Sequence, residues 1–225
     1  EAHIDTDAAV CTSLLVNRHL QGRHLPWAVA AAFGDNLADS ARAAAAPLGL
    51  SDAQLAALQS LGECLNYNGY GETLDDLFFD PAELYRQVRP YADPFAFIAE
   101  APAYRTLQSG YMEDMARAVA LAAAENRPGG RVFVLPAEKW ARRISGVFGN
   151  RLAVESPQQA HAVLTAKPGG GYVVSVRAPL ATRSGADVLC SQFDTGGGRK
   201  AAAGINHLPD AEFGRFLALF YQTFA

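Results

Sequence analysis

The stretch GGGRK at residues 196–200 has the residue types of an anion site. Glycine has no Cβ, so a run of glycines lets backbone N–H groups approach an anion closely. A guanidinium beside them suits a phosphate or carboxylate because it can donate two parallel hydrogen bonds. The candidate substrate-binding residues here are Gly196, Gly197, Gly198, Arg199 and Lys200. A glycine-rich hairpin or helix entry is the structural alternative.

A further cation, Arg177, lies in the strand-like segment GYVVSVRAP at residues 171–179. A single charged residue on a strand is more often part of a solvated face than of a site. We expect Arg177 to join Arg199 and Lys200 at one anion site, with the glycine run forming a loop whose N–H groups point inward. The chain contains neither Walker A spacing nor GxGxxG, so those two kinds of nucleotide site are not indicated.

Two acidic segments have ligand types that divalent metal ions use. HIDTDA at residues 3–8 spaces His3, Asp5 and Asp7 alternately, which can gather them on one side of an extended segment. Polar residues on a loose terminus are the alternative. Asp35 follows the apolar run WAVAAAF and is a candidate metal ligand, the alternative being a cap for the next helix.

Composition limits the classes of function. The chain has 225 residues, half of them apolar, and a formal charge of −4, so any polyanion site must be a local patch. Three widely separated cysteines without a CxxC pair argue against a disulfide framework or zinc site and indicate a reducing cytoplasm. No apolar run reaches membrane-spanning length, so we expect no membrane partner.

The pattern along the chain predicts an α/β protein with two parts. The first 125 residues read as mostly helical, although residues 27–33 fit either a buried strand or a buried helix. Ser51 and Gln54 form a capping-box pattern at the start of one helix. Beyond NRPGG at 126–130, strands alternate with helices, which predicts a smaller mixed-sheet α/β unit. We therefore predict domains at 1–125 and 126–225.

Several of these segments together resemble the DHH phosphoesterase superfamily, which includes RecJ-type exonucleases, oligoribonucleases and exopolyphosphatases. GGGRKAAAGI resembles the glycine motif of the DHH-associated domain, and YVVSVRAP with ADVLCSQFDTGGG resembles the strand and helix that lead into it. VCTSLLVNRHL and WAVAAAFGDN resemble the segment that ends in the fourth metal motif of the catalytic domain. The resemblance implies a helical remnant of the catalytic domain with a connector, followed by a complete substrate-binding domain.

The resemblance also implies a site chemistry. Two Mn²⁺ (or Mg²⁺) ions would activate water for attack on phosphorus, with Asp35 as the one ligand carried over. The glycine run, Arg199, Lys200 and Arg177 would bind the substrate's phosphates. Arg199 stands where the family usually has histidine, and no Asp-His-His triplet occurs in the chain. We therefore interpret the chain as an inactive C-terminal fragment and HIDTDA as a chance copy of the first metal motif.

The expected function of the intact enzyme is hydrolysis of phosphodiester or phosphomonoester bonds in short nucleic acids or nucleotides. The expected partners are short single-stranded nucleic acid, a nucleotide or another phosphate substrate, and a homodimer stays open. The alternative is a non-catalytic module that binds nucleic acid or nucleotide; a protein that has lost both activities is a third interpretation. The residues do not choose among oligonucleotide, cyclic dinucleotide, nucleotide 3′-phosphate and polyphosphate.

Overall fold

The structure, a computed structural model, describes residues 3–7 and 9–225. The chain divides into two compact units, Glu1–Met112 and Glu113–Ala225. The described residues form ten α-helices and one six-stranded mixed sheet, which confirms the predicted α/β class. None of the helices in these residues is both long enough and apolar enough to cross a membrane.

The N-terminal unit is built from helices throughout the part that the structure describes. They are α1 (Thr12–His19), α2 (Leu25–Gly34), α3 (Ala38–Ala45), α4 (Asp52–Tyr67), α5 (Pro81–Val88), α6 (Pro94–Glu100) and the first part of α7 (Pro102–Val119), with 3-10 turns at Ala46–Leu48 and Leu74–Asp76. The ambiguous run 27–33 lies inside α2, most of whose residues are buried. A segment buried on nearly every side shows no period, so its sequence could not separate helix from strand.

Helices α2 and α4 cross with their backbones in direct contact. A Cβ on Gly62 would overlap the carbonyl oxygen of Ala30, and one on Gly34 would lie 2.5 Å from the carbonyl oxygen of Gly62. Small residues at both positions therefore allow the two helices to pack closely. This crossing lies in the main core of the unit, beside fully buried Leu58 and Leu61.

The C-terminal unit is a sheet with helices on both faces. Its strands are β1 (Glu125–Arg127), β2 (Gly130–Leu135), β3 (Ala160–Ala166), β4 (Tyr172–Arg177), β5 (Gly196–Arg199) and β6 (Ala202–Leu208); its helices are α8 (Lys139–Glu155), α9 (Ala186–Cys190) and α10 (Phe213–Thr223), with a 3-10 turn at Asp210–Glu212. The strand order is β1-β2-β3-β4-β6-β5. β2 and β3 run parallel and are joined through α8. The remaining four pairs of neighbouring strands are antiparallel.

The two faces of this sheet are covered differently. Helix α8 packs on β3 and β4, where Phe148 meets Phe133 of β2 edge to face. The opposite face carries the larger core, to which α10 contributes Phe216 and Phe220 and α9 contributes Leu189. The larger of the two packed faces is therefore the one covered by α9 and α10.

The predicted boundary segment NRPGG forms the hairpin between β1 and β2, in which Arg127 pairs with Gly130. Pro128 and Gly129 form a turn within the sheet and not a linker. A Cβ on Gly129 would overlap the carbonyl oxygen of Phe224, so this turn packs closely against the C-terminal residues. The two compact units divide earlier, within α7. The assignment of a catalytic-domain remnant and a substrate-binding domain stays a prediction.

Candidate anion-binding face of the C-terminal sheet

The glycine run 196–198 belongs to an edge strand. Residues 196–199 form β5, which pairs antiparallel with β6 across a turn made by Lys200 and Ala201. The prediction of a loop with inward N–H groups is therefore wrong, and the glycine-rich hairpin is what forms. An edge strand still presents part of its backbone N–H groups away from the sheet, because it has a neighbour on one side only.

The three glycines of β5 differ in what surrounds them. A Cβ on Gly196 would overlap the carbonyl oxygen of Cys190, and Gly198 has φ +146° with Ala203 directly beneath it. Gly197 lacks a left-handed φ, and a Cβ there would meet no atom within 4 Å. Packing therefore explains glycine at 196 and 198. It does not explain glycine at 197, where the missing side chain leaves the surface of the strand bare.

Strand register brings Arg177 and Arg199 to the same face of the sheet. Ala202 of β6 is the cross-strand partner of Arg177 on β4 and also of Arg199 on β5. Directly opposed residues point to the same face, and two strand spacings separate the two arginines by about 10 Å. Register thus places these two cations on one face of a sheet rather than around a loop. That they join Lys200 at one anion site stays a prediction.

The neighbouring row of the same face is made of small residues. Gly204 of β6 lies opposite both Ser175 and Gly197. We call these two rows the anion face; it consists of Ser175, Arg177, Gly197, Arg199, Ala202 and Gly204. Its β5 members are exposed and its β4 and β6 members are partly exposed, so solvent reaches the small-residue floor between the arginines.

The two arginines of the anion face are held differently. Arg177 is half-buried, and its Nε donates to the side-chain oxygen of Asn150 on α8 at 2.7 Å. Its Nη1 donates to Ser175 Oγ at 2.8 Å. The side chains of Arg199 and Lys200 are exposed and have no hydrogen-bond or ion-pair partner among the described residues. Arg177 is thus fixed in place, while Arg199 and Lys200 carry cations that no neighbouring acid in the described part of the chain neutralises.

Two buried groups of the C-terminal unit, Cys190 and His161, are uncharged at neutral pH. Burial raises the pKa of the Cys190 thiol to about 12, so it stays protonated at neutral pH. His161 of β3 lies beside Arg177 in register and is fully buried. Burial, helped by the nearby Arg131 cation, lowers the pKa of His161 to about 4, so its ring is neutral at pH 7.

Asp35 follows the end of α2, where its backbone N–H donates to the carbonyl oxygen of Ala31 at 2.9 Å. Asp35 is exposed to solvent. Throughout residues 3–7 and 9–225, no three His, Cys, Asp or Glu side chains are grouped so that they could hold a metal ion. The described residues therefore do not fit a two-metal centre. The role of Asp35 as a metal ligand stays a prediction.

The HIDTDA segment is described except for residue 8. Asp5 forms an ion pair with Arg18 at 2.9 Å and accepts the backbone N–H of Asp7 at 3.0 Å. The hydrogen bond from Asp7 and then the one from Arg18 lower the pKa of Asp5. The ring of His3 lies 5.1 Å from that of His19. The carboxylate of Asp5 is therefore paired with a cation of the chain. This pairing is compatible with our interpretation of HIDTDA as a chance copy of the metal motif.

Sequence reasoning missed two residues that contact Arg177. Ser175 carried a signal, because it lies two positions earlier on the same strand and so shares the face of Arg177. Asn150 carried none, because it reaches Arg177 only through the packing of α8 on the sheet. The separate roles of the three glycines also depend on neighbours that are distant in sequence.

Solved structures that share this fold include a DHH-domain protein and a RecJ protein. A DHH-domain protein described as a member of a family of ribosomal proteins is 15% identical with a TM-score of 0.52, and the match covers 92% of this chain and 51% of that one. RecJ from Thermus thermophilus, in complex with Mn²⁺, is 17% identical with a TM-score of 0.52, covering 92% and 34%. The chain therefore shares the fold of these DHH-domain and RecJ structures.

The chain spans about half the length of the first of these proteins and about a third of the second. No protein-family model matches the chain, and no curated protein matches its sequence.

Proposed function

We propose that the anion face binds phosphate groups of a short single-stranded nucleic acid, a nucleotide or another phosphate substrate, as the substrate-binding part of a DHH-type phosphoesterase. The observation that carries this proposal is the row formed by Arg177, Ala202 and Arg199. It sets two guanidinium groups on one face with only small side chains between them. The fold shared with DHH-domain proteins supports the class of enzyme.

The chemistry of the face fits a phosphate better than an uncharged ligand. Arg199 is always charged and can take two phosphate oxygens in parallel hydrogen bonds, and Lys200 in the adjoining turn adds a point charge. The bare surface at Gly197 lets a phosphate approach the backbone without meeting a Cβ. Because a guanidinium group keeps its charge across the physiological pH range, we expect binding to stay constant between about pH 6 and 8 apart from changes in the ligand's own charge.

A divalent metal would belong to the hydrolytic step of such an enzyme. When bound, Mn²⁺ or Mg²⁺ would neutralise charge on phosphoryl oxygens and activate a water molecule. The described residues do not form a ligand set for it, so we assign this chain the binding step alone. A non-catalytic nucleotide-binding module would use the anion face in the same way.

Calorimetric titration with a 5′-phosphorylated tetranucleotide, a dinucleotide and tripolyphosphate at low salt tests the proposal. A charge-assisted hydrogen bond contributes about 1.5–3 kcal/mol, so Arg199→Ala should weaken binding about tenfold or more. Arg199→Lys keeps the charge but loses the planar fork, so it should recover only part of the affinity. The comparison among the three ligands reports which class the face prefers.

Arg151→Ala is the matched control, because it removes one exposed cation from α8 that is paired with Glu155 at 2.7 Å. We expect it to bind as the wild type does. For an oligonucleotide, the plot of log K against log salt has a negative slope, and Arg199→Ala should make that slope less steep by about 0.7. This is the value for one lost contact to a phosphate of a single strand. Unchanged affinity in Arg199→Ala, or an equal loss in Arg151→Ala, would overturn the proposal.

A further inference from the structure

We propose that Asn150 of α8 is a positioning residue of the anion face, which orients the Arg177 guanidinium with a side chain that carries no charge of its own. The inference rests on the proposed phosphate binding and adds to it a residue from outside the sheet. Nothing in the sequence motifs points to Asn150; its assignment comes from the contact with Arg177.

The Arg177 guanidinium is held from several sides. Nε donates to Asn150 Oδ1 at 2.7 Å, and Nη1 donates to Ser175 Oγ at 2.8 Å. A longer contact of 3.4 Å joins Nη2 to the carbonyl oxygen of Gly146. A planar group with contacts at Nε, Nη1 and Nη2 has little freedom to rotate, so its orientation is set before any ligand arrives.

Helix α8 is shaped to make these contacts. Gly146, Gly149 and Asn150 share one face of the helix because they are three and four positions apart. A Cβ on Gly149 would already touch Arg177 Cγ at 3.7 Å, so this part of α8 lies directly against the arginine side chain. The Asn150 carboxamide is the only one of these three groups whose side chain can accept a hydrogen bond.

The same helix shows what a structural arginine looks like. Arg143 of α8 is largely buried and forms an ion pair of 2.9 Å with the carboxylate of Asp114. There an acid cancels the charge of the cation. At Arg177 the partner of Nε is the neutral amide of Asn150, which fixes the geometry and adds no negative charge of its own.

Fixing an arginine in advance affects affinity, because a ligand that immobilises a mobile side chain must offset its lost conformational entropy. Releasing Arg177 should therefore weaken phosphate binding by about threefold to tenfold. Replacing the amide by a carboxylate should preserve the orientation but place a negative charge beside the guanidinium. Orientation and charge can thus be tested separately at this one position.

The experiment compares Asn150→Ala, Asn150→Asp and the control Val154→Ala, which truncates an exposed side chain of the same helix. Tripolyphosphate and the phosphorylated tetranucleotide are titrated into each full chain by calorimetry. The Arg177 Nε–Hε signal is followed by ¹H–¹⁵N NMR, with Arg177→Ala used to assign it. Thermal unfolding checks that each variant is folded, and Asn150→Asp keeps the test valid should Asn150→Ala unfold.

We expect Asn150→Ala to lose the slowly exchanging Arg177 signal and to bind about threefold to tenfold more weakly. Asn150→Asp should keep the signal yet bind about tenfold more weakly, with a reduced salt dependence. Val154→Ala should match the wild type. A purely structural role for Asn150 predicts instead that Asn150→Asp, which keeps the hydrogen bond, binds as the wild type does.

Wild-type affinity in both Asn150 variants, alongside weakened binding in Arg177→Ala, would overturn this inference and leave the proposed function standing. An unchanged Arg177 signal in Asn150→Ala would also overturn it. A wild-type chain that binds none of the phosphate ligands would overturn the proposed function and this inference together.

Discussion

The two compact units differ in charge as sharply as in secondary structure. The N-terminal unit has six arginines and no lysine against fourteen acidic residues, a formal charge of −8, whereas the C-terminal unit has thirteen basic against nine acidic residues, a charge of +4. The net charge of −4 for the whole chain conceals this difference. An acidic total therefore does not argue against an anion site, because the cations are concentrated in the unit that carries the anion face.

Glycine also has different uses in the two units. In the N-terminal unit, Gly34 and Gly62 are required where two helix backbones touch. In the C-terminal unit, Gly198 is required by its backbone conformation, whereas Gly197 faces open space. Where a Cβ would clash with neighbouring atoms, glycine is explained by packing. Where a Cβ would meet no atom, we interpret glycine as leaving the surface free for a ligand. The predictions below test this distinction and the charge distribution, from the largest expected effect to the smallest.

Gly62→Ala should give the largest loss of stability, because its new Cβ would overlap backbone atoms of α2 that cannot move aside easily. We expect the free energy of unfolding to fall by about 3 kcal/mol, as in overpacked cores. Urea denaturation followed by circular dichroism measures this change. The control Gly214→Ala in α10, where a Cβ would meet nothing within 4 Å, should be neutral or slightly stabilising. Equal stability of the two variants would contradict a packing role for Gly62.

The stability of the C-terminal unit should depend on His161 at acid pH. Its pKa is lowered to about 4 in the folded chain, so the unfolded chain takes up the proton first as pH falls below the ordinary value of 6.5. This contribution is complete above pH 6.5 and is lost as pH falls towards 4, by at most about 3 kcal/mol. Urea denaturation between about pH 4 and 7 should show a shallower pH dependence in His161→Gln than in the wild type. His207→Gln, which changes an exposed histidine, is the control. Parallel curves of unfolding free energy against pH for the wild type, His161→Gln and His207→Gln would contradict the prediction.

Gly197→Ala should separate binding from stability. Its Cβ meets no atom of the chain, so we expect the melting temperature to stay within about 2 °C of the wild type. The new methyl group would stand on the anion face, and we expect phosphate affinity to fall about threefold to tenfold. Gly198→Ala should instead lose about 1–2 kcal/mol of stability through its strained φ. Wild-type affinity in Gly197→Ala would show that the bare surface is not used.

Addition of Mn²⁺ should produce no hydrolysis of a dinucleotide by these 225 residues, because the described side chains do not group into a metal site. Chromatography of the products after overnight incubation measures this, with a known phosphoesterase as the positive control. Measurable turnover that disappears in Asp5→Asn or Asp7→Asn would show that HIDTDA is a genuine metal motif and that our alignment of it is wrong.

Local features of the fold were predictable from sequence, and non-local ones were not. The capping box of Ser51 and Gln54 forms as predicted, because both partners lie within one helical turn. The α/β class followed from the change of pattern after residue 130. The segment 126–130 forms a hairpin, which its sequence could not distinguish from a linker, since Pro-Gly-Gly breaks regular structure both between strands and between domains.

The candidate site was predictable in its residue types but not in its geometry. GGGRK and Arg177 could be selected from sequence, yet their common face depends on β6 lying between β4 and β5. That strand order is a non-local property, and a shift of one residue would have sent Arg199 to the opposite face. The contact between Asn150 and Arg177 likewise depends on how α8 packs, which no local pattern encodes.

The most direct test of the anion face is an NMR titration of the ¹⁵N-labelled chain with tripolyphosphate. We expect the largest shifts at the backbone amides of residues 197–200 and at the Arg177 Nε signal. These shifts should saturate with one Kd, and that Kd should rise about tenfold or more in Arg199→Ala. Shifts confined to other residues of the C-terminal unit, or the same Kd in Arg199→Ala, would contradict phosphate binding at the anion face.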